Sequence, residues 1–442
     1  MSSHHDSHEP TRDELVRLIG APVPARLQQA SLALAVLGFA IWLVGVVTGN
    51  DRAWQAWHVS WLYFTVVSSA GVMFAAVQRI TTARWSRPVI RFMEGYVLWL
   101  PVAFVMLMIT VFVGKSHIYP WVAHPPTKHE KAVWLGVTFW SLRSVVVFGL
   151  ITALSLWYVY TSVRIDVALL PEWGSKWAKG WRDRMRAGFG EERRELHSTH
   201  SLQGKLAVFL ALTFGFGWVV MAWDHSMSMD PDFQSTMYGW QYFMGGWIVS
   251  LMIFSLLVRL WRNHLHAHSI ITENHLHDIG KLCFAFTAFW GYLTFSQLLV
   301  IWYGNMGEET FWFHKRLSAP WTSMSVTVGL LVFIAPFFGL LGKAPKLYTP
   351  TMTFFALCSI IGIWLHRYLE VYPGIYGNPA SMPFGFWEIG IFLGFLGLWV
   401  YLYLAFMNAF PRMRVVLMTS PYKDEMQVPV DPKTMEPLPA HE

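Results

Sequence analysis

The sequence has 442 residues, of which 54% are hydrophobic, 17% aromatic and only 14% charged. Soluble domains carry about 25% charged residues, so this composition excludes an ordinary soluble enzyme and predicts a polytopic membrane protein. The net charge of +6 does not indicate a nucleic-acid partner, because the basic residues lie between apolar segments and there determine membrane topology.

Ten apolar segments are long enough to cross a bilayer core of about 30 Å. We therefore predict an all-α membrane domain of ten helices over residues 29–409, between an N-terminal tail (1–28) and a C-terminal tail (410–442). The first apolar segment lacks an obvious cleavage site, so we expect it to be retained. The predicted spans are Gln29–Thr48, Trp57–Val77, Val89–Val113, Trp134–Thr161, Leu202–Trp223, Tyr238–Leu260, Asp278–Trp302, Trp321–Leu341, Thr349–Leu369 and Phe384–Phe406.

The basic residues predict the orientation of these spans. If the N-terminus is inside, 25 of the 33 Lys and Arg residues lie on the inner side and 7 on the outer side, with Arg143 inside a span. This bias places both termini in the cytoplasm. The N-terminal tail and the Pro-rich segment from Pro421 to Glu442 lack a core-forming pattern, so we expect them to be disordered or bound to a partner.

The inner loop over residues 163–200 is amphipathic. Trp173, Trp177 and Trp181 recur every four residues beside a series of Lys and Arg residues. This pattern predicts a helix lying on membrane lipids, and the alternative is a charged loop that packs on the inner face of the bundle.

A weak internal repeat relates spans two to five to spans six to nine. The third span begins with Arg91 and Glu94 and the seventh with Asp278 and Lys281, both pairs spaced i, i+3. Each half then forms a four-helix bundle with the same orientation, and the first and last spans flank the two bundles. With a single sequence, chance similarity between the two halves remains the alternative explanation.

Polar and charged residues inside the spans are the candidates for chemistry, because they are costly in lipid unless they face protein or water. Thr294, Ser296 and Gln297 in the seventh span could face a proton or quinone path, or could hydrogen-bond neighbouring helices. We place Arg143 near the membrane midplane and expect it to pair with Glu94, either as a charged step in a proton path or as a structural ion pair.

Two groups of residues could form the two ends of such a proton path. On the inner side Glu94, Asp278, Lys281, His275 and His277 could form a half-channel, since histidine exchanges protons near neutral pH. The histidines from His264 to His277 could instead bind a metal, although their spacing fits no closed site, or belong to a solvated loop.

On the outer side, the loop after the fifth span contains Asp224, His225, Asp230 and Asp232 and no basic residue. It could release protons, dock a basic partner, or contain helix-capping aspartates. Glu388 lies near the outer boundary and could reach water.

We expect this chain to hold no redox centre of its own. Its two cysteines, Cys283 and Cys358, are too few for a four-cysteine cluster or a C-x-x-C-H haem attachment. All 18 histidines are predicted in tails, loops or span ends, whereas haem in a helix bundle needs imidazoles at membrane depth. We also find no dinucleotide fingerprint and no metal site.

Two stretches carry a resemblance to a known family: WDHSMSMDPDFQSTMYGW (223–240) and TENHLHDIGKLCFAFTAFWGYLTFSQLLVIWYGNMGEE (272–309). They resemble the ActF family, membrane subunits of bacterial alternative complex III within the polysulfide reductase C (NrfD-like) superfamily. The resemblance covers most of the membrane region but neither the tails nor the Trp-rich loop. It maps the family's acidic and histidine positions to Asp224, His225, Asp278 and Lys281, but does not extend to Glu94 and Arg143.

This resemblance implies a ten-helix, two-bundle subunit of a quinol:electron-acceptor (cytochrome c) oxidoreductase. Its implied partners are the homologous membrane subunit ActC, where quinol is mainly oxidised, and extrinsic iron–sulfur and multihaem cytochrome c subunits, which hold the clusters and haem c. The implied role is a scaffold with a candidate proton path, and the implied location is the cytoplasmic (inner) membrane of a bacterium.

Two other functions remain open at this point. The chain could be a quinone-binding anchor that itself oxidises quinol in a pocket of Tyr, Trp and polar side chains. It could also be a free-standing secondary transporter, which would need broken helices at matching positions of both halves. Pro101 in the third span has no counterpart in the seventh, which disfavours a transporter.

Overall fold

The structure, a computed structural model, describes residues 10–423 and 425. Within these residues there is no strand, and ten helices are long and apolar enough to cross a membrane. The predicted all-α polytopic fold is confirmed, and the chain is a multi-pass membrane protein. The spans are α1 (Ala25–Val47), α2 (Asp51–Ile80), α3 (Arg91–Ile118), α4 (Val137–Leu169), α5 (Glu192–His225), α6 (Met237–His264), α7 (Glu273–Gly304), α8 (Thr322–Gly339), α9 (Thr349–Tyr376) and α10 (Phe386–Ala409).

The ten spans form the predicted two four-helix bundles with a flanking pair. Helices α2 to α5 pack together as the first bundle, α6 to α9 as the second, and α1 pairs with α10 beside them. Helix α2 lies at the centre, since every residue from Ala53 to Ala76 is buried and it contacts α5, α6, α9 and α10. The polar residues of α2 are therefore inside the protein rather than in lipid.

Most helices are longer than the predicted spans. Helix α5 begins at Glu192 rather than Leu202, and α4 continues to Leu169 rather than ending at Thr161. Hydropathy marks only the part of a helix inside the hydrocarbon, whereas the hydrogen-bonded turns continue into the aqueous boundary. The predicted amphipathic loop of residues 163–200 is accordingly wrong in its bounds, and the true connection covers residues 170–191.

Two spans contain departures from α-helical geometry. Helix α3 includes a 3₁₀ segment at Gly95–Leu98 and a π segment at Thr110–Gly114, and α8 includes a π segment at Leu330–Ile334. The repeat pairs the third span with the seventh and the fourth with the eighth. The two π segments therefore do not occupy matching positions of the two halves.

Short helices occupy the connections. The inner loop contains a 3₁₀ turn, Lys176–Ala178, followed by a helix, Lys179–Arg186. Arg182 and Met185 are buried, while Trp177 of the turn and Trp181 of the helix are exposed. The predicted surface helix is thus present in shorter form, with one side on the bundle and these two tryptophans outward. The other short elements are Pro120–Ala123, His129–Trp134, Met227–Met229, Gly307–Leu317 and Lys343–Leu347.

The terminal segments pack on the first bundle at the side of the membrane domain that carries both ends of the helix series. We name this side the inner side and the opposite side the outer side. A helix at Arg12–Ile19 buries Leu15 and Ile19 and contacts a second short helix at Val415–Thr419. The prediction that the N-terminal tail lacks a core-forming pattern is wrong for Arg12–Ile19. The helix at Val415–Thr419 precedes Pro421–Glu442, the C-terminal segment to which that prediction applied. Residues 1–9, 424 and 426–442 of the predicted tails lie outside the described residues.

Glycines allow α1 and α10 to approach closely. A Cβ atom on Gly38 would lie 2.2 Å from the Cα atom of Gly394, and one on Gly394 would lie 2.7 Å from the Cα atom of Gly38. Gly390 and Gly394 form a G-x-x-x-G pattern, which places two small residues on one face of a membrane helix and permits backbone contact.

We therefore expect Gly394→Ala to destabilise the protein by about 1–3 kcal/mol, the usual cost of overpacking a tight contact. The measurement is the thermal midpoint of the purified protein in detergent. The matched control is Gly215→Ala, where a Cβ meets no atom within 4 Å, so its midpoint should stay unchanged or rise. Equal midpoints for the two variants would contradict this packing.

Candidate functional site

Three consecutive buried residues at the outer end of α5, Asp224, His225 and Ser226, contact both bundles. Asp224 and His225 bind side chains of the first bundle, and Ser226 binds side chains of the second. We define these three residues as the outer junction.

Asp224 forms a buried ion pair with Arg143. The Nε and Nη2 atoms of Arg143 donate to the two carboxylate oxygens of Asp224 at 2.7 Å each, and Trp134 Nε1 donates at 3.0 Å. Arg143 is six residues past the start of α4 at Val137, at its outer end. The prediction that Arg143 lies at the midplane and pairs with Glu94 is wrong, because its partner is the aspartate at the outer end of the neighbouring helix.

His225 lies between two hydroxyl groups. Its Nδ1 is 2.6 Å from the Tyr119 hydroxyl and its Nε2 is 3.0 Å from Ser144 Oγ, while its backbone carbonyl accepts a hydrogen bond from His58 Nε2 at 2.7 Å. A ring with a hydroxyl at each nitrogen can accept a proton on one side and donate one on the other. This geometry suits proton transfer through His225.

Ser226 is the residue of the outer junction that contacts the second bundle. Its Oγ donates to Glu370 Oε2 at 3.3 Å and is 2.7 Å from the Tyr238 hydroxyl. Glu370 also accepts from Arg367 Nη1 at 2.6 Å, and His366 Nδ1 lies 3.2 Å from its other oxygen. All four of these partner side chains come from α6 and α9, so the junction connects the polar interiors of the two bundles.

The rest of the predicted acidic outer loop is largely neutralised within the chain. Asp230 is buried and pairs with Lys315 and Arg316 from the helix Gly307–Leu317. Asp232 alone among the four predicted residues is exposed. An open acidic mouth is therefore wrong for Asp224 and Asp230. Glu388 likewise does not reach water, since it is buried and binds Arg52 Nη2 at 2.7 Å.

A second charged cluster lies at the inner end of the first bundle. Arg91 donates to Glu94 at 2.6 Å, to Ser162 Oγ at 3.1 Å and to Asp166 at 2.5 Å, and Ser162 Oγ donates to Glu94 at 2.8 Å. Arg414 of the C-terminal segment completes the cluster by binding Glu94. The i, i+3 spacing of Arg91 and Glu94 and the i, i+4 spacing of Ser162 and Asp166 put each pair on one helix face.

The inner cluster is neutral overall, because two arginines face two carboxylates. Burial by itself would lower the pKa of Arg414, but the neighbouring Glu94 and Tyr158 raise that pKa above its usual value. Arg414 therefore stays charged at all physiological pH values. Asp166 is held in addition by the backbone N–H of Val416 at 2.9 Å, so the C-terminal segment is bound at two points.

A small polar cavity adjoins the inner cluster. It has a volume of about 60 Å³ and its lining includes Gln78, Asp166, His200, Gln203 and Arg414. A buried water needs at least about 10–15 Å³ and two to four polar partners, so this cavity can hold several water molecules. It provides a polar route from the inner side to Asp166.

A single face of α4 runs between the two clusters. Ser144, Thr152, Ser155 and Ser162 are all buried and follow one another at spacings of eight, three and seven residues, which keeps them on one face of a helix. The hydroxyls of Thr152 and Ser155 have no hydrogen-bond partner. Buried hydroxyls normally have a hydrogen-bond partner in the protein or in ordered water. We define these four residues as the polar face of α4.

The predicted inner residues of the second bundle form a separate, exposed group. Asp278 and Lys281 pair at 2.7 Å with 35% and 56% of their side chains exposed. His275 Nδ1 accepts from the backbone N–H of Thr272 at 3.2 Å as a helix cap, and His277 is half-buried nearby. Within the described residues no hydrogen bond or ion pair joins Glu94 to any of them, so the structure does not assemble the predicted five-residue inner mouth.

The polar residues of α7 bind neighbouring segments. Gln297 is buried and donates to Ser235 Oγ at 3.2 Å, and Thr294 accepts from Gln241 of α6 at 3.3 Å. Ser296 is half-buried on the same helix. These contacts match the alternative of inter-helix hydrogen bonding rather than a polar path through α7.

The histidines are not confined to loops and span ends. His58 in α2 is buried and His366 in α9 is half-buried, and both lie within spans, so that prediction is wrong for them. The rings of His58 and His225 are 6.0 Å apart and their nitrogens bind hydroxyl or carbonyl groups. In the part of the chain that the structure describes, no group of three or more His, Cys, Asp or Glu residues could hold a metal ion.

Several residues of these clusters escaped the sequence analysis. Tyr119, Ser144 and Asp166 are ordinary residues near helix ends, and nothing in their spacing indicates a partner on another helix. The polar face of α4 had a detectable signal, because its four hydroxyl residues share a helical face of an otherwise apolar span. Arg414 had none, since it follows the last span.

The architecture defines the class of the protein: an all-α, multi-pass membrane protein with two four-helix bundles, buried charge clusters at the ends of the bundles, and a flanking helix pair. No protein-family model matches the sequence, and no curated protein matches it either.

We expect Asp224→Asn to cost about 3–5 kcal/mol of unfolding free energy, because it leaves Arg143 buried and uncompensated. Asp278→Asn is the matched control, since it breaks an exposed pair that contributes about 0–1 kcal/mol. Denaturant titration of the purified protein in detergent measures both. Similar losses for the two variants would refute the assignment of Asp224 as a buried partner.

Proposed function

We propose that this chain is the cofactor-free membrane subunit of a quinol:electron-acceptor (cytochrome c) oxidoreductase, and that its first bundle conducts protons between the outer junction and the inner cluster. The polar face of α4 is the observation that supports proton conduction. It places unpaired buried hydroxyls at membrane depth between two clusters of ionisable groups. A purely structural helix would gain nothing from them, because unsatisfied polar groups destabilise a membrane interior.

The dimensions support such a path. Ser144 and Ser162 are 18 residues apart, which corresponds to about 27 Å along a helix and nearly spans a hydrocarbon core of about 30 Å. Ser144 lies 3.0 Å from His225 at one end, and Ser162 binds Glu94 at 2.8 Å at the other. The hydroxyl residues follow one another along the helix axis at intervals of about 12, 4.5 and 10.5 Å. These intervals are too long for direct proton transfer, so water molecules would bridge them.

Both ends of this path have groups that can exchange protons. At the outer end His225 is bonded to Tyr119, and at the inner end Asp166 borders the polar cavity. The distribution of basic residues favours a cytoplasmic position for the inner cluster and for both termini. Protons would then enter the path from the cytoplasm at Asp166 and leave it near His225.

The partners in this proposal follow from the resemblance to the ActF family. Quinol would be oxidised mainly at the homologous subunit ActC, and electrons would pass through extrinsic iron–sulfur and multihaem cytochrome c subunits. The outer side offers a docking surface, because the cleft lined by Lys128, Glu130, Lys131, Trp134 and Gln234 has a volume of about 370 Å³. Such an outer cleft of mixed charge suits a protein partner in the aqueous phase.

Purification under mild conditions tests the assignment to a complex. We expect an affinity-tagged chain to co-purify with c-type haem proteins and with a second polytopic subunit in fixed stoichiometry. The measurement is the haem absorbance and protein composition of the purified material. A chain that purifies alone from membranes that contain these proteins would refute the assignment.

We expect the double variant Thr152→Val/Ser155→Ala to lose most of its proton uptake while retaining quinol turnover, because it removes the mid-membrane hydroxyls that hold water. The measurement is the proton-to-quinol ratio of the complex in liposomes with an internal pH dye. The matched control is Ser141→Ala on the same helix, whose hydroxyl donates to Val137 O at an exposed position. An unchanged ratio in the double variant would refute the path along α4.

A further inference from the structure

An apolar cleft lies where the inner loop meets the first bundle. It has a volume of about 450 Å³ and lies between α3, α4, the end of α10 and the loop tryptophans. Leu98, Pro101 and Trp157 line it on the bundle side, and Trp177 and Trp181 line it on the loop side. This volume lies within the range of about 300–1,000 Å³ that is typical of ligand sites.

The two loop tryptophans line the cleft and are also exposed at the surface. Trp177 is 53% exposed and Trp181 51% exposed, although both border the cleft. Tryptophan favours the boundary between lipid tails and head groups, because its ring is apolar and its N–H is polar. The cleft therefore opens at the level of the head groups on the inner side of the membrane.

Basic residues flank the two loop tryptophans in the sequence. Residues 171–190 contain five basic residues and two acidic ones, and Lys176, Lys179 and Arg184 are exposed. Arg184 also lies with its Cζ atom 5.3 Å from the centre of the Trp181 ring. An apolar cleft with a cationic rim is complementary to an acyl chain with an anionic head group.

We propose that this cleft binds one anionic phospholipid, with an acyl chain against Leu98 and Trp157 and its phosphate at Lys176 and Lys179. A quinone fits less well, because its ring carbonyls need hydrogen-bond donors inside the cleft and the lining is almost wholly apolar. The proposal does not depend on the proposed function, since it concerns only the surface of the inner loop.

Native mass spectrometry of the purified full-length protein, in the complex it is isolated in, tests this site. The probes are dioleoyl phosphatidylglycerol and dioleoyl phosphatidylcholine, which differ in head-group charge. We expect phosphatidylglycerol to bind more tightly, and K176E/K179E to weaken its binding about tenfold or more, since each lysine near a membrane surface contributes substantially to anionic-lipid attraction. Phosphatidylcholine binding should be unaffected by these substitutions.

The matched control is K205E/K343E, which makes the same charge change at two other exposed lysines near the inner ends of spans and should leave lipid binding unchanged. Leu98→Trp fills the cleft and should weaken binding of both lipids. Equal affinity for the two lipids, an equal effect of the control variant, or recovery of a quinone that is lost in Leu98→Trp would each overturn the proposal.

Discussion

Pairing of buried charges inside the membrane domain is the constraint on which this structure depends. An isolated charge in a low-dielectric interior is so unfavourable that it must find an opposite partner and further hydrogen bonds. Asp224 with Arg143 satisfies this requirement at the outer end of the first bundle, and Glu94 with Arg91 and Arg414 satisfies it at the inner end. Arg91 and Glu94 lie on one helix, but the Arg143–Asp224 and Arg414–Glu94 pairs each join separate elements. These two pairs therefore also determine which elements are neighbours.

The outer junction extends this constraint across the interface between the bundles. Asp224, His225 and Ser226 are adjacent in sequence, yet their side chains bind α4, the end of α3 and α9. A change at Asp224 or His225 therefore removes contacts to the first bundle, and a change at Ser226 removes contacts to the second. This arrangement couples the ionisable groups of the second bundle around Glu370 to those of the first without a continuous chain of charges through the apolar centre.

The fold was largely predictable from sequence, because the number of spans follows from hydropathy alone and the bundle division follows from the orientation of the spans. The pairing of the charges was not predictable from sequence. Arg91 and Glu94 are visible as an i, i+3 pair, but Asp166 and Arg414 come from about 75 and 320 residues further along the chain. Arg143 lies closer to the end of its helix than the sequence predicts, because α4 begins at Val137 and Trp134 belongs to a separate short helix. Long-range partners leave no local pattern, so spacing could identify the candidates but not their contacts.

The inner cluster and the polar face of α4 together explain why the C-terminal segment is packed against the bundle. Arg414 binds Glu94 and also lines the polar cavity, and the Val416 N–H binds Asp166, so the segment covers the point where the polar face of α4 meets the inner side. Without this segment Glu94 and Asp166 would share only one arginine, and one carboxylate would be left uncompensated in a buried site. The segment therefore stabilises the inner end of the bundle, and any proton that reaches Ser162 from the inner side must first pass the groups that this segment holds in place.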